Sequence, residues 1–320
     1  MAKRSKRGRA EPLVLLIGSG IHREILGERS IRNPLASWRE LLLETGRRSG
    51  VPVHIFDDAS LTAVWEGMVL RAVSHGYRSG RPARRKPGQQ QAAAVDRALR
   101  SVCKQVIVDH SADLREHYAR HWIVQTIVRL CEARQVHLVD FNFDDLISRA
   151  IGIEGKAGST RIRLPKSSGL TIEEYAALHR NWPIHGRHSS RLWKPHGWVG
   201  SAKTMRLGVR DFGLQGAGYR WAFQRHKAAE REVSAQKGQY AGTWVEKVIQ
   251  YECRAIGLGI GAGEWGLHWL LTQRARDQVR KRPTRPFTSY LAHEQMLPIG
   301  VECSAHPTWA VAIEKALAPD

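Results

Sequence analysis

The ten residues EPLVLLIGSG, positions 11–20, constrain the fold more than any other stretch of this chain. Five consecutive apolar side chains without alternation read as a buried strand, and Gly18-Ser19-Gly20 reads as the tight turn that ends it. The same grammar returns three times. VHLVDFN (136–142) is followed by the helical DDLISRAI, and YECRAIGLGI (251–260) by EWGLHWLLTQRAR; the strand-like LPIGVECS precedes the helical HPTWAVAIEKAL. Strand alternating with helix, with glycine where strands end, predicts an α/β fold. We expect a Rossmann-like parallel sheet with helices on both faces, binding ligands at the strand C-terminal ends.

The remaining segments fill in that frame. Leu35, Trp38, Leu41 and Leu42 recur at helical spacing in PLASWRELLLETG, which Gly46 is expected to end. Leu61, Val64, Trp65, Met68 and Val69 share a face of a helix over Ser60–Val73. Further helices are expected over Gln90–Val106, Ala112–Arg134, Trp244–Gln250 and near Arg220–Ala235. The domain therefore runs over 12–320, after a basic flexible tail at 1–11, with a helical insertion at about 55–133. A second insertion, basic and rich in Trp, His and Gly, spans about 155–235. Trp38, Trp65 and Trp265 are read as helix-face core.

Composition excludes several classes. With 42% hydrophobic and 25% charged residues, the chain matches neither disordered nor collagenous nor coiled-coil sequences. Its apolar runs, Leu13–Ile17 and Trp265–Leu271, are too short to cross a bilayer. The basic start is followed by only five apolar residues before Gly18, which is no signal peptide, so a cytoplasmic location is expected. Cys103, Cys131, Cys253 and Cys303 form no C-x-x-C pair; buried thiols are expected, with no metal. Fifty Lys and Arg against thirty Asp and Glu give +20, a field that attracts polyanions. Arg-rich segments 78–86 and 274–285 are the candidate nucleic-acid contacts.

Four short motifs could carry chemistry. Gly18, Ser19 and Gly20 allow backbone to approach a diphosphate, although a glycine turn after a strand is also generic and Glu24 replaces the third Rossmann glycine. Asn142 and Asp144 leave a buried strand at the ligand edge, where Asn and Asp also serve as helix caps. His196, in LWKPHGWVG, has an apolar flank and a following glycine, and histidine suits acid–base work near neutral pH. Gly257, Gly259, Gly261 and Gly263 alternate ahead of Glu264, which could accept ribose hydroxyls or simply favour a helix start.

The order of these motifs resembles the sirtuin-like NAD-binding family, which carries an early G-A-G, then Q-N-x-D, then H-G, then a late Gly/Ser turn. The segment PLASWRELL is similar to the one after the first glycines in the divergent bacterial branch, which includes antiphage effectors that hydrolyse NAD. The deacylase branch continues with a serine and G-I-P-D-F-R, where this chain has His22, and carries a Cys-x-x-Cys zinc ribbon that is missing here. Both departures argue against deacylation.

The resemblance implies that NAD+ is the substrate and that Asn142 positions ribose or the attacking water. By the same likeness Asp144 orients the loop or the nicotinamide pocket, and His196 acts as base. Gly18, Ser19, Gly20 and the late glycines Gly257, Gly259 and Gly261 would cradle the diphosphate, with Glu264 near the adenosine ribose. It further implies a homo-oligomer or a separate regulator such as an ATPase or helicase. Two alternatives stay open: a nucleic-acid-binding module on a nucleotide-binding fold, and ADP-ribosyl transfer to a protein or nucleic acid.

Overall fold

The computed structural model describes residues 11–55, 60–75, 88–153, 169–184, 189–231, 242–258, 265–280, 285–291 and 301–318. Seven strands form one sheet: β1 (Leu13–Ile17), β2 (Val136–Asp140), β3 (Asn181–Pro183), β4 (Arg191–Trp193), β5 (Glu252–Ile256), β6 (Phe287–Leu291) and β7 (Glu302–Ala305). They lie in the order β3-β4-β2-β1-β5-β6-β7. All neighbouring pairs are parallel except β3 with β4, which is antiparallel at the edge. Without β3, the order is that of a doubly wound dinucleotide-type sheet, whose direction of winding reverses between its first and fourth strands. Here that reversal falls between β1 and β5. The expected Rossmann-like α/β architecture is the one observed.

Consecutive residues of β1 serve opposite layers, because side chains alternate across a sheet. Leu13, Leu15 and Ile17 join one core cluster, and Val14 and Leu16 the other. All five are fully buried, a stabilisation of about 1.5–3 kcal/mol for each side chain. On the first face pack α1 (Gly20–Leu26), α2 (Trp38–Ser49), α3 (Leu61–Ser74), α4 (Gly88–Ala112), α5 (Arg115–Arg120), α6 (Trp122–Ala133), α7 (Leu146–Ala150) and α12 (Trp309–Leu317). On the second lie α8 (Ile172–His179), α9 (Val209–Arg231), α10 (Trp244–Gln250) and α11 (Trp265–Val279). Trp65, Leu99, Ile107 and Ile123 belong to the same cluster as the β1 side chains, so the helices between β1 and β2 share the sheet's core.

Several expectations are corrected. The second helix does not end at Gly46 but continues to Ser49 and stops at Gly50, which adopts φ +67°. Gly46 is a close-packing site instead, since a Cβ there would meet Val53 Cγ2 at 2.1 Å. The stretch expected as one helix over 112–134 is two, broken at His121, whose ψ of 136° is extended. The helix expected near 220 begins at Val209. Trp265 is 45% exposed rather than core, and Cys303 is exposed while the other three thiols are buried.

Arg274, counted among the candidate nucleic-acid contacts, is buried. Its guanidinium donates to the carbonyls of Val248, Tyr251, Arg285 and Pro286, so it holds the chain rather than a phosphate. The tail at 1–10, the segment 78–86, residues 281–284, residues 154–168 and Gly259, Gly261, Gly263 and Glu264 lie outside the described residues. Among the described residues, no helix is long and apolar enough to cross a membrane.

Candidate functional site

Four adjacent strands, β4, β2, β1 and β5, end beside one another around the winding reversal, and their exits contribute differently. The β1 and β5 exits are built from backbone. Gly18 N–H donates to Ile256 O (3.0 Å) and Gly20 N–H to Gly257 O (2.9 Å). A Cβ on Gly18 would sit 2.3 Å from Gly257 O, and one on Gly20 would sit 2.5 Å from Gly257 Cα. Gly257, at φ +60°, would press a Cβ within 2.5 Å of Ile21 N. These glycines are therefore required by their contact with one another. Two of the amides expected to face a diphosphate are already spent on main-chain carbonyls.

The β2 exit is built from buried charge. Asp140 accepts from the Asn142 N–H at 3.0 Å through Oδ1 and from Lys194 Nζ at 2.6 Å through Oδ2. Lys194, just past β4, also donates to Asn142 O (3.0 Å) and Asp144 O (2.5 Å), so one ammonium fixes the whole loop that carries both predicted residues. Asp144 Oδ1 accepts from Leu146 N–H at 3.0 Å, while Oδ2 lies 3.0 Å from His22 Nε2, close but not aligned as a hydrogen bond. His22 Nδ1 meets the Tyr118 hydroxyl at 2.6 Å. Either protonation state of the ring satisfies that nitrogen: neutral it accepts the phenol proton, charged it donates to the phenol oxygen.

Burial sets the electrostatics. It pushes the Asp140 carboxyl above the usual carboxylate range, against the pull of the Lys194 ammonium. Burial acts the same way on Asp144, but the His22 ring and Lys194 outweigh it and hold that carboxyl well below the usual range. Burial, and after it the Asp144 and Asp140 charges, push the Tyr118 phenol up, so it keeps its proton.

The β4 exit carries His196. Its ring packs edge-on to Phe141 (4.9 Å between centroids) and against Phe212 (5.2 Å), and its carbonyl accepts the Arg206 N–H at 2.8 Å. A cavity of about 250 Å³ opens where the exits meet, lined by Gly18, Ser19, Asn142, Asp144, His196 and Leu258. Trp38 and Phe143, set edge to face at 62°, also line it, and Arg23 supplies a cation. Asn142 is only 7% exposed, yet its side-chain Nδ2 has no hydrogen-bond partner among the described residues. A buried amide donor left in this way is costly unless a ligand completes it.

Five predicted residues thus line one cavity: Gly18, Ser19, Asn142, Asp144 and His196. Gly20 and Gly257 support it from behind. Sequence reasoning missed Asp140, Lys194 and Tyr118, and met His22 only as a departure from a pattern. The available signal was charge inside apolar runs, Asp140 in VHLVDF and Lys194 in RLWKP, since buried charges are found paired. Asn142 and Asp144 are not the helix cap; Asp145 occupies that position before α7, without a side-chain cap bond. Among the described residues, no three His, Cys, Asp or Glu side chains gather as a metal site. No protein-family model matches this chain, and no curated protein matches it in sequence.

Proposed function

We propose that the protein is an NAD+ hydrolase of the sirtuin-like kind, releasing nicotinamide and ADP-ribose. The observation that carries this reading is the Asn142 amide, which has no partner among the described residues and is buried with His196 and Asp144 in a cavity at the β1/β5 reversal. Ligands of doubly wound sheets bind at that reversal. At about 250 Å³ the cavity lies just below the roughly 300–1,000 Å³ of drug-sized sites, which suits one half of a dinucleotide. Trp38 offers a face for a flat ring, and Arg23 a partner for phosphate.

In this reading the C1′–nicotinamide bond breaks with its electron pair leaving on nicotinamide. Water then bonds to the oxocarbenium carbon. His196 accepts the proton that water gives up, and the Asn142 amide holds the ribose hydroxyl or the water. Asp144, kept ionised by His22 and Lys194, fixes the loop beneath them. As a defence effector, the enzyme would be held silent until a partner such as an ATPase or helicase, or self-assembly, switches it on.

The test is incubation of purified protein with NAD+, alone and with lysate from infected cells, following nicotinamide and ADP-ribose by chromatography. Equal release of both is expected, falling by about 100-fold or more in Asn142→Ala and His196→Ala, the scale of one lost acid–base or stabilising group. Nicotinamide without matching ADP-ribose would mean transfer to another acceptor. Undiminished cleavage in both variants would remove the site assignment, and no cleavage under either condition would favour a binding module.

A further inference from the structure

A second cavity, of about 450 Å³, lies on the other side of the Lys194–Gly197 turn. Among the described residues, its lining has four cationic side chains, Arg180, Lys194, Lys203 and Arg206, and no carboxylate. Lys194 is neutralised by Asp140, as described above. Arg206 is not neutralised so well. It is 7% exposed, and its nearest carboxylate oxygen, Asp211 Oδ1, is 3.8 Å away. Asp211 takes Arg100 at 2.7 Å and the N–H groups of Leu207 and Gly208 on Oδ2, so its one charge is shared between two guanidiniums, the closer of which is Arg100. A guanidinium buried this deeply without a close counter-charge is expensive, and an anion in the cavity would relieve it. Arg180 and Lys203 have no hydrogen bond or ion pair from their side chains among the described residues and add to the same positive field.

Aromatic surface adjoins the charge. Trp182 and Trp198 both line the cavity, with ring centroids 5.5 Å apart. Trp198 is held rigidly, because Gly200 has no Cβ where the indole lies; one built there would fall 1.9 Å from the ring. Rigid indoles beside arginines suit a planar ring carrying phosphate, by stacking and by forked hydrogen bonds. The volume also lies within the range of small-ligand sites.

We propose that this cavity binds a nucleoside phosphate, at a site separate from the one assigned to NAD+ cleavage. The two sites share a wall: His196 faces the first cavity, while Lys194, Pro195 and Gly197 face the second. Gly197, at φ +92°, packs on the Thr204 carbonyl, and Arg206 N–H bonds the His196 carbonyl. The second cavity therefore bears directly on the backbone that carries His196. The proposal does not depend on cleavage of NAD+, because its readout is binding.

The experiment is photolabelling of the full chain with 8-azido-ADP, with the labelled peptides mapped by mass spectrometry and ADP affinity measured by calorimetry. Label is expected within residues 176–206. It should be lost in Arg180→Glu and in the exposed-site variant Lys203→Glu, each weakening ADP by about tenfold or more, or about 1.4 kcal/mol. Asn142→Ala should leave this label unchanged. Adenosine and pyrophosphate, each lacking half of the chemistry, should compete at least about tenfold more weakly than ADP. Label confined to residues 34–41 and 141–144, or insensitive to both charge reversals, would overturn the proposal. Pyrophosphate competing as well as ADP would do the same for the ring.

Discussion

The exits of β1 and β2 lie side by side in one sheet and are built on opposite principles. The β1 exit contains no charge. Its form comes from Gly18, Gly20 and Gly257 meeting without side chains, with two main-chain hydrogen bonds across the contact. The β2 exit is a knot of buried charge, Asp140 and Asp144 held by Lys194 and His22. A backbone contact is rigid and tolerates no added atom, whereas a charge knot tolerates changes of shape but not the loss of one partner. In the proposed reading, chemistry belongs to the second kind of exit, where an ammonium locks the loop and the Asn142 amide has no partner among the described residues.

Breaking the charge knot should have the largest effect. Lys194→Met removes the only cation touching Asp140 among the described residues and frees the Asn142 and Asp144 carbonyls. A loss of about 3–5 kcal/mol in urea unfolding is expected, because a buried carboxylate remains without its partner. Adding Asp140→Asn keeps the acceptor for Asn142 N–H while removing the charge, so the double variant should recover more than half of that loss. A double variant no more stable than the single one would show that the knot is held by something other than charge.

Gly257→Ala tests the other exit and should cost about 2–5 kcal/mol, the sum of left-handed strain and overpacking. Gly50→Ala sharpens the result. Gly50 has φ +67° but nothing within 4 Å of its missing Cβ, so only the strain applies there, about 1–2 kcal/mol. Equal losses at the two glycines would mean that the β1–β5 contact relaxes easily.

The two exits also differ in how well the sequence discloses them. Glycines after an apolar run are visible at once, and the strands β1, β2 and β5 with their following helices are legible because hydrophobic patterning and turn chemistry agree. The edge strand β3 and its neighbour β4, three residues each, and β6 carry too little pattern to be seen. Asn142 and Asp144 were legible because they follow a visible strand, and His196 because of its apolar flank and following glycine. Lys194 and Tyr118 were not. A lysine reads as exposed and a tyrosine on a short helix as packing, and their roles depend on partners 54 and 96 residues away. Long-range electrostatic pairing leaves no local period to detect.

The third effect is pH-dependent. Asp144 has a folded-state pKa below its ordinary 3.8, so its contribution is complete above that pH and is lost as pH falls through the lower folded value. Asp144→Asn should therefore cost about 1.5–3 kcal/mol at pH 7, and the gap from the parent protein should close progressively below pH 3.8. A gap constant from pH 7 to pH 2 would show that Asp144 acts through shape alone.

The smallest effect concerns the outermost link of the knot. Tyr118 is fully buried and contributes its ring to the core, so Tyr118→Phe keeps the packing and removes only the hydroxyl 2.6 Å from His22 Nδ1. One hydrogen bond of this kind is worth about 0.5–1.5 kcal/mol, a fall in melting temperature of about 2–4 °C. Because His22 still faces Asp144, the pH dependence of Asp144 should persist in this variant, which separates support of the ring from its contact with Asp144. If Tyr118→Phe instead abolished that dependence, the phenol would be setting the position of the imidazole, and the knot would extend through α5 to the helical layer.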